Sequence, residues 1–431
     1  MIKSRKLPES VIIFGCGYLG TALAKHLLNK GVKVGALTRN AEKAADLRKM
    51  GAKLKTAYDQ AAIEVIEGDL DSNDWHKRVE GRYESVVNCV SSAGGGLAGY
   101  QKSYVDGQRS ILEWAKSQSI RSYVYTSSTS VYPQDDGLLI DESADTSGAP
   151  ATGQLLVESE VMLAKSDILP KWYVLRLAGI YGEGRHFLLN QIREAKGEIP
   201  GSGDYAMNMI HLEDIISAIC AALYGEAASD VYNITDDAPT IKADVLAYLA
   251  EAMELPKPVF DPEKVSERLK RRGGRMPHRY VSNKKAREAS EWRPQFSSFR
   301  DGCSGWGLRY SRFWTGFASK HDWRPHHNGA GARGRRRRLV ERQVGDHEAR
   351  CLMRRILNQL RELAGSLNVA VIIITAHKGK SKRHQNLLSL VEHEADQHLI
   401  EHSSIRRNAP LLLSHKRIAE LKRQMVIQSL L

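Results

Sequence analysis

A strand, a glycine turn and a helix stand at the start of this chain, and no other feature restricts its fold as much. The apolar run Val11, Ile12, Ile13, Phe14 suits a strand buried on both faces of a parallel sheet, and Gly15 closes it. Ala22, Leu23, Leu27 and Leu28 then recur at helical spacing until Gly31, and Val32 to Leu37 predicts a second strand. Between the first strand and the helix lies Gly15, Cys16, Gly17, Tyr18, Leu19, Gly20, a G-x-G-x-x-G in the βαβ setting that gives the motif its meaning. The first glycine permits the tight turn, the second lets backbone approach a pyrophosphate, and the third lets helix and strand pack closely. The unpaired N–H groups at the helix start face the phosphates. The expectation is a dinucleotide site contacted by Gly15, Gly17, Tyr18, Leu19 and Gly20, with a purely structural glycine turn as the alternative.

The end of the second strand bears on cofactor choice. An acidic residue there would accept hydrogen bonds from the ribose 2′-OH of NAD, but the chain reads Leu37, Thr38, Arg39, Asn40. Arg39 offers a cation to a 2′-phosphate, so NADP is favoured over NAD; a solvated surface arginine is the alternative. Strands are also predicted at Glu64 to Ile66, Ser85 to Val90, Ser122 to Thr126 and Trp172 to Leu177, with helices such as Gln108 to Ser117 and Leu155 to Ala164 between them. This alternation predicts an α/β fold, a Rossmann-type doubly wound parallel sheet. Gly68, Asp69, Leu70 closes the third strand, where Asp69 could accept from adenine beside Leu70, or simply form a turn.

Composition enters through its distribution along the 431 residues. Residues 1–309 hold 40 Lys+Arg and 40 Asp+Glu, whereas residues 310–431 hold 23 and 10, so the whole net charge of +13 sits in the tail. Ten of the 15 His also follow Tyr310. A boundary is expected there, with 1–309 as one NAD(P)-binding unit and 310–431 as a basic, partly disordered extension. No run reaches the roughly 18 apolar residues of a membrane span, and the start has no leader pattern, so no membrane partner is expected. The 5 Cys are odd in number and scattered, which argues against a disulfide framework and for a reducing, cytoplasmic setting.

Several separated segments together resemble the extended and atypical short-chain dehydrogenase/reductase family, the NAD-dependent epimerase/dehydratase group. They are GCGYLG at 15–20, GDL at 68–70, YTSSTSVYP at 125–133, LRLAGIYGEGR at 175–185, MIHLEDI at 209–215 and VSNKKAREASEWRPQF at 281–296, covering about residues 9–305. The resemblance implies a smaller, mostly C-terminal substrate lobe, mainly within 180–300. It also implies a small-molecule substrate, usually a nucleotide sugar or related metabolite. The family's chemistry uses a serine after the fifth strand and a Tyr-x-x-x-Lys on the next helix. The Tyr moves a proton at the substrate oxygen and the Lys lowers its pKa. Ser128 matches the serine. The helix, aligned on its Glu-x-Glu, puts Thr152 at the Tyr position and Leu156 at the Lys position, so the site is degenerate. The pair Tyr280 and Lys284 has the right spacing but stands far from the serine strand and reads as coincidence. Tyr132 and Tyr181 are candidate substitute acids, or residues that shape the pocket. Arg185 and His211 fall in segments that face substrate in relatives. Packing is the alternative for His211, and for Arg176 a pairing with a buried carboxylate such as Asp214.

The tail resembles no named family. Its features are Trp314 and Trp323, the arginine-rich run from Gly331 to Arg338, a helix predicted from Cys351 and a strand from Val369 to Ile374. His393, His398 and His402 with Glu394 and Asp396 could chelate a metal, but amphipathic polarity explains them as well, and no metal site is expected. Three functions follow in descending order. The first is an NAD(P)-dependent epimerase/dehydratase or reductase-like enzyme, and the second a non-catalytic NAD(P)-binding regulatory or sensor protein. The third, nucleic-acid binding, would be through the tail alone. A homo-oligomer is compatible with all three.

Overall fold

The computed structural model describes residues 6–57, 62–92, 94–185, 187–194, 198–253, 255–265, 270 and 276–304. The features expected of the tail, including its helix, its strand and its histidine group, lie outside the described residues, as does the boundary at 309/310.

The central sheet is built from β1 (Ser10–Phe14), β2 (Lys33–Thr38), β3 (Ile63–Glu67), β4 (Ser85–Asn88), β5 (Ser122–Ser128), β6 (Trp172–Leu177) and β7 (Asp230–Ile234), in the order β7-β6-β5-β4-β1-β2-β3. Every neighbouring pair is parallel. The order reverses at β1, whose Phe14 is flanked by Leu37 and Asn88, so the glycine turn leaves the sheet at its switch point. This Rossmann-like fold is the one expected. β7 was not singled out in the sequence, because five residues beginning with Asp carry too weak a pattern.

Helices α1 (Tyr18–Asn29), α2 (Ala41–Ala57), α3 (Gly107–Ala115), α4 (Ala151–Ala164) and α5 (Leu212–Tyr224) cover the sheet. Val11 and Ile13 point into one layer with Leu23 and Leu27 of α1 and Ile215 and Ile219 of α5. Ile12 and Phe14 point into the other, with Trp75, Ile111, Trp114 and Leu163. Both faces of β1 are therefore dry, and that is why its sequence is apolar throughout. Phe14 meets Trp75 and Trp114 edge-on, with centroids 5.0 and 5.7 Å apart. Each such side chain contributes about 1.5–3 kcal/mol by leaving water.

A separate apolar cluster lies in the smaller lobe, where Leu188, Leu189, Ile199, Met209 and Phe299 gather around α6 (Lys242–Ala252) through Val245, Leu246 and Leu249. The chain then returns to the main body. Trp292 donates its indole N–H to the Asp214 carbonyl (3.1 Å) and Ser217 Oγ (3.0 Å), which fastens the last described segment onto α5.

Candidate active site

The glycine turn is held under β2, where the N–H groups of Gly15 and Cys16 both donate to the Leu37 carbonyl, at 3.2 and 3.3 Å. Gly15 has φ +85°, and a Cβ there would come within 2.6 Å of the Val90 nitrogen. At Gly20 a Cβ would lie 2.4 Å from the Gly15 carbonyl oxygen, so α1 packs on its own turn. At Gly17 a Cβ would meet nothing within 4 Å. Open space above the second glycine, at the start of a 12-residue helix, is the cradle a pyrophosphate requires. The residues present fit a dinucleotide. Leu19 and Leu70 are buried in the apolar layers of the fold, Leu19 with Leu23 and Leu27 and Leu70 with Phe14 and Trp75.

Arg39 follows β2 directly, and its guanidinium lies 3.8 Å from the Asp69 carboxylate. Lys102 reaches both Asp69 (4.0 Å) and Asp71 (2.5 Å). These side chains are roughly half exposed, so the cluster is a screened, adjustable arrangement. Arg39 stays accessible to a 2′-phosphate.

Ser128 ends β5, and its Oγ accepts from the Ser130 N–H at 3.2 Å, which orients the oxygen and leaves the hydroxyl proton to be donated. Of the two α4 positions aligned with the family's Tyr and Lys, Thr152 and Leu156, the second is enclosed by apolar side chains. Leu156 is 2% exposed and packs with Val131, Tyr132 and Val281. A lysine there would carry its charge into an apolar cluster. Thr152 is half-buried in the first turn of α4, which begins at Ala151, ahead of the Leu155 start expected from the sequence. Gly153 makes a close contact in this turn, since a Cβ there would lie 3.0 Å from the Ser130 carbonyl.

The two tyrosines proposed as substitutes part company. Tyr132 is 1% exposed; its hydroxyl donates to Asn233 Oδ1 (2.7 Å) and accepts from Arg176 Nη1 (2.9 Å). Arg176 in turn forms a buried bidentate pair with Glu160, with contacts down to 2.6 Å, and Ser127 donates to the same carboxylate at 2.5 Å. Arg176 therefore pairs with Glu160 and not with Asp214, because α4 brings Glu160 directly over β5 and β6. Burial raises the Tyr132 phenol pKa although Arg176 opposes it. Tyr132 belongs to this buried network, its hydroxyl engaged by Asn233 and Arg176. Tyr181 lines the open cavity, with its hydroxyl donating to the Ser298 carbonyl at 3.2 Å and its pKa raised by burial and by Asp236.

That cavity, of about 400 Å³, runs from Ser128, Thr129 and Ser130 into the smaller lobe. Arg185 lines it, and its guanidinium carbon stands 5.4 Å from the Tyr18 ring centroid. His211 does not. It is 0% exposed, its Nδ1 accepts from the Glu213 N–H to cap α5, and its ring packs edge-on against Tyr181 and Phe296. The expectation of substrate binding by His211 is corrected accordingly. Two cations unforeseen in the sequence line the cavity instead. Lys242, first residue of α6, is 7% exposed with its ammonium over the rings of Tyr205 and Phe260, at 5.5 and 5.7 Å. Arg279, also 7% exposed, donates to the carbonyls of Gln134 (3.1 Å) and Thr129 (3.0 Å). A lone Lys before an amphipathic helix reads as a solvated residue, and only the fold turns it inward. Among the described residues lining the cavity there are three cations and no carboxylate.

Behind the cavity wall lies an acidic group. Asp236 is 2% exposed, and burial, reinforced by Asp237, Asp214 and Asp301, pushes its pKa up to about 8. Asp214 accepts from the N–H groups of Gln295 (2.6 Å) and Phe296 (3.2 Å), yet burial still raises it to about 6. Among the described residues no group of His, Cys, Asp and Glu could hold a metal, and no helix is long and apolar enough to cross a membrane.

Comparison with known proteins gives a consistent picture. The profile of the NAD dependent epimerase/dehydratase family matches residues 11–235. Protein YeeZ of Escherichia coli strain K12 is 27% identical over 256 residues, spanning 58% of this chain and 86% of that protein. A 3-diazoavenalumate denitrifying reductase of Streptomyces sp is 30% identical over 196 residues, 43% of this chain and 62% of that protein. In fold, UDP-glucuronic acid 4-epimerase from Bacillus cereus, solved in complex with NAD, superposes with a TM-score of 0.56 at 19% identity, covering 70% of this chain and 96% of that one.

Proposed function

Because this chain belongs to the NAD dependent epimerase/dehydratase family, we propose that it is an NAD(P)-dependent epimerase/dehydratase or reductase-like enzyme whose substrate is an anionic, nucleotide-sugar-like or related metabolite. The observation that carries the reading is that Ser128 opens onto the same cavity as Arg185, Lys242 and Arg279, beyond the carboxyl ends of the sheet that also carry the glycine turn. The bound nicotinamide would supply or accept a hydride. Ser128 would donate a hydrogen bond to the reacting substrate oxygen, and the three cations would hold the anionic end and fix its orientation. The apolar walls, Leu188, Met209 and Phe299 among them, would keep water from the reacting carbon.

Proton transfer is where this chain departs from its family. Thr152 has a far less acidic proton than a phenol, and Leu156 gives no charge to help it. General acid assistance is typically worth about 10²–10⁴-fold, so turnover should be lower by that order unless another group donates. Tyr181, which lines the cavity, is the remaining tyrosine candidate.

A second reading, a non-catalytic NAD(P)-binding sensor, is favoured by the apolar packing of Leu156. Following the absorbance of reduced nicotinamide with candidate keto-sugars separates the two. The enzyme reading expects slow oxidation of NADPH or NADH that rises in Thr152→Tyr/Leu156→Lys, provided unfolding curves show the variant folded. Cofactor binding without turnover in wild type, in this folded variant and across the substrate panel would support the sensor reading. Wild-type turnover abolished by Tyr181→Phe would assign the proton to Tyr181.

A further inference from the structure

One short loop touches both halves of the site. It runs from Gly182 to Arg185 after the strand Gly179–Tyr181, with an antiparallel bridge between its ends and the Arg185 N–H donating to the Gly182 carbonyl at 3.1 Å. Gly182 has φ +149°, and a Cβ there would meet the Tyr18 hydroxyl at 2.9 Å and Leu212 Cβ at 3.0 Å. Only glycine lets the loop come this close. Tyr18 belongs to the glycine turn, yet its side chain turns away from the turn and toward this loop. Its hydroxyl donates to the Glu183 carbonyl at 2.8 Å, and the Arg185 guanidinium stacks over its ring. Tyr18 is half-buried here, and its pKa is pushed up to about 12 by burial despite the opposing charge of Arg185, so it remains a neutral donor at all physiological pH.

We propose that Tyr18 is a positioning residue for Arg185, so that the turn receiving the cofactor's phosphates also sets the cation that meets the substrate's anionic end. The inference rests on the reading of Arg185 as a substrate contact. Arg185 is otherwise an exposed, long side chain with many rotamers, and holding it in one of them would cost binding affinity each time a ligand arrived. The hydroxyl bond to Glu183 fixes the loop, and the ring restrains the guanidinium. Cation–π contact at an exposed site changes affinity only modestly, which suits a positioning role.

Inorganic phosphate, titrated by calorimetry into the full-length protein saturated with NADPH, is the probe, because the filled glycine turn leaves the cavity to report. Arg185→Ala should weaken phosphate about tenfold, as loss of a charge-assisted contact does. Tyr18→Leu should weaken it about threefold. Tyr18→Phe, which keeps the ring, should stay within about twofold of wild type. Adding Tyr18→Leu to Arg185→Ala should bring no further loss, because the tyrosine acts only through the arginine. Losses that add, or a Tyr18→Leu effect confined to NADPH affinity, would overturn the proposal and leave the reading of Arg185 intact. An unchanged phosphate affinity in Arg185→Ala would instead remove Arg185 from the substrate site, and this inference with it.

Discussion

At the scale of single residues, the site is governed by which charges and hydroxyls the surrounding packing leaves available. Arg39 is half exposed, paired with Asp69 at 3.8 Å, and can turn to a phosphate at small cost. Arg39→Ala should therefore weaken NADP(H) by about tenfold while changing NAD(H) much less, as read by fluorescence titration of both reduced cofactors. Equal losses, or a wild type that prefers NAD, would mean that Arg39 points elsewhere. Leu156 illustrates the opposite case. At 2% exposure among Val131, Tyr132 and Val281 it has no route to water, so a lysine there would have to be accommodated by repacking the cluster.

At the scale of elements, buried polar groups hold the layers in register. The Glu160–Arg176 pair joins α4 to β6, and Tyr132 and Asn233 extend it to β7. Removing one partner of such a pair typically costs about 3–5 kcal/mol, since the other charge is left alone in the interior. The segment after Trp292 is held differently, by backbone N–H groups donated to Asp214. Asp236 lies behind it with Asp214, Asp237 and Asp301 nearby and Tyr181 on the cavity side. In the folded protein Asp236 and Asp214 titrate near 8 and 6, above the unfolded value near 4. Between these limits these two carboxyls bind more protons in the native state than in the unfolded chain, so the stability they contribute is full below about pH 4 and is lost as pH rises to about 8. Urea unfolding midpoints across that range should decline, and Asp236→Asn should abolish most of the decline between about pH 6 and pH 8. A variant whose midpoints fall as steeply as the wild type's would show that another group carries the linkage.

At the scale of the whole molecule, the chain divides by charge more sharply than by hydrophobicity. The sheet and the smaller lobe are completed within residues 6–304, and residues 1–309 carry no net charge while the remainder carries +13. We infer that residues 310–431 are an appendage to a self-sufficient folding unit. A chain shortened after Tyr310 should unfold in one cooperative transition and bind cofactor as the full chain does. Any polyanion affinity of the full chain should vanish with the tail and fall steeply with salt. Insoluble or non-cooperative shortened protein would overturn the division.

The features legible in neighbouring residues are those that depend on local pattern. The apolar run of β1, the three glycines and the helix after them each read correctly, because strand burial, turn geometry and helix periodicity are written in neighbouring residues. The absence of Tyr and Lys on α4 was equally legible, as a matter of spacing. Tertiary structure alone decided the partners. Arg176 met Glu160 rather than Asp214, His211 became a buried cap, Tyr132 was drawn into a salt-bridge network, and Lys242 and Arg279 turned into the cavity. Each of these outcomes depends on where an element distant in sequence comes to rest. The same side chain is a ligand, a cap or a solvated charge according to what the fold places against it, and that packing is set jointly by the chain.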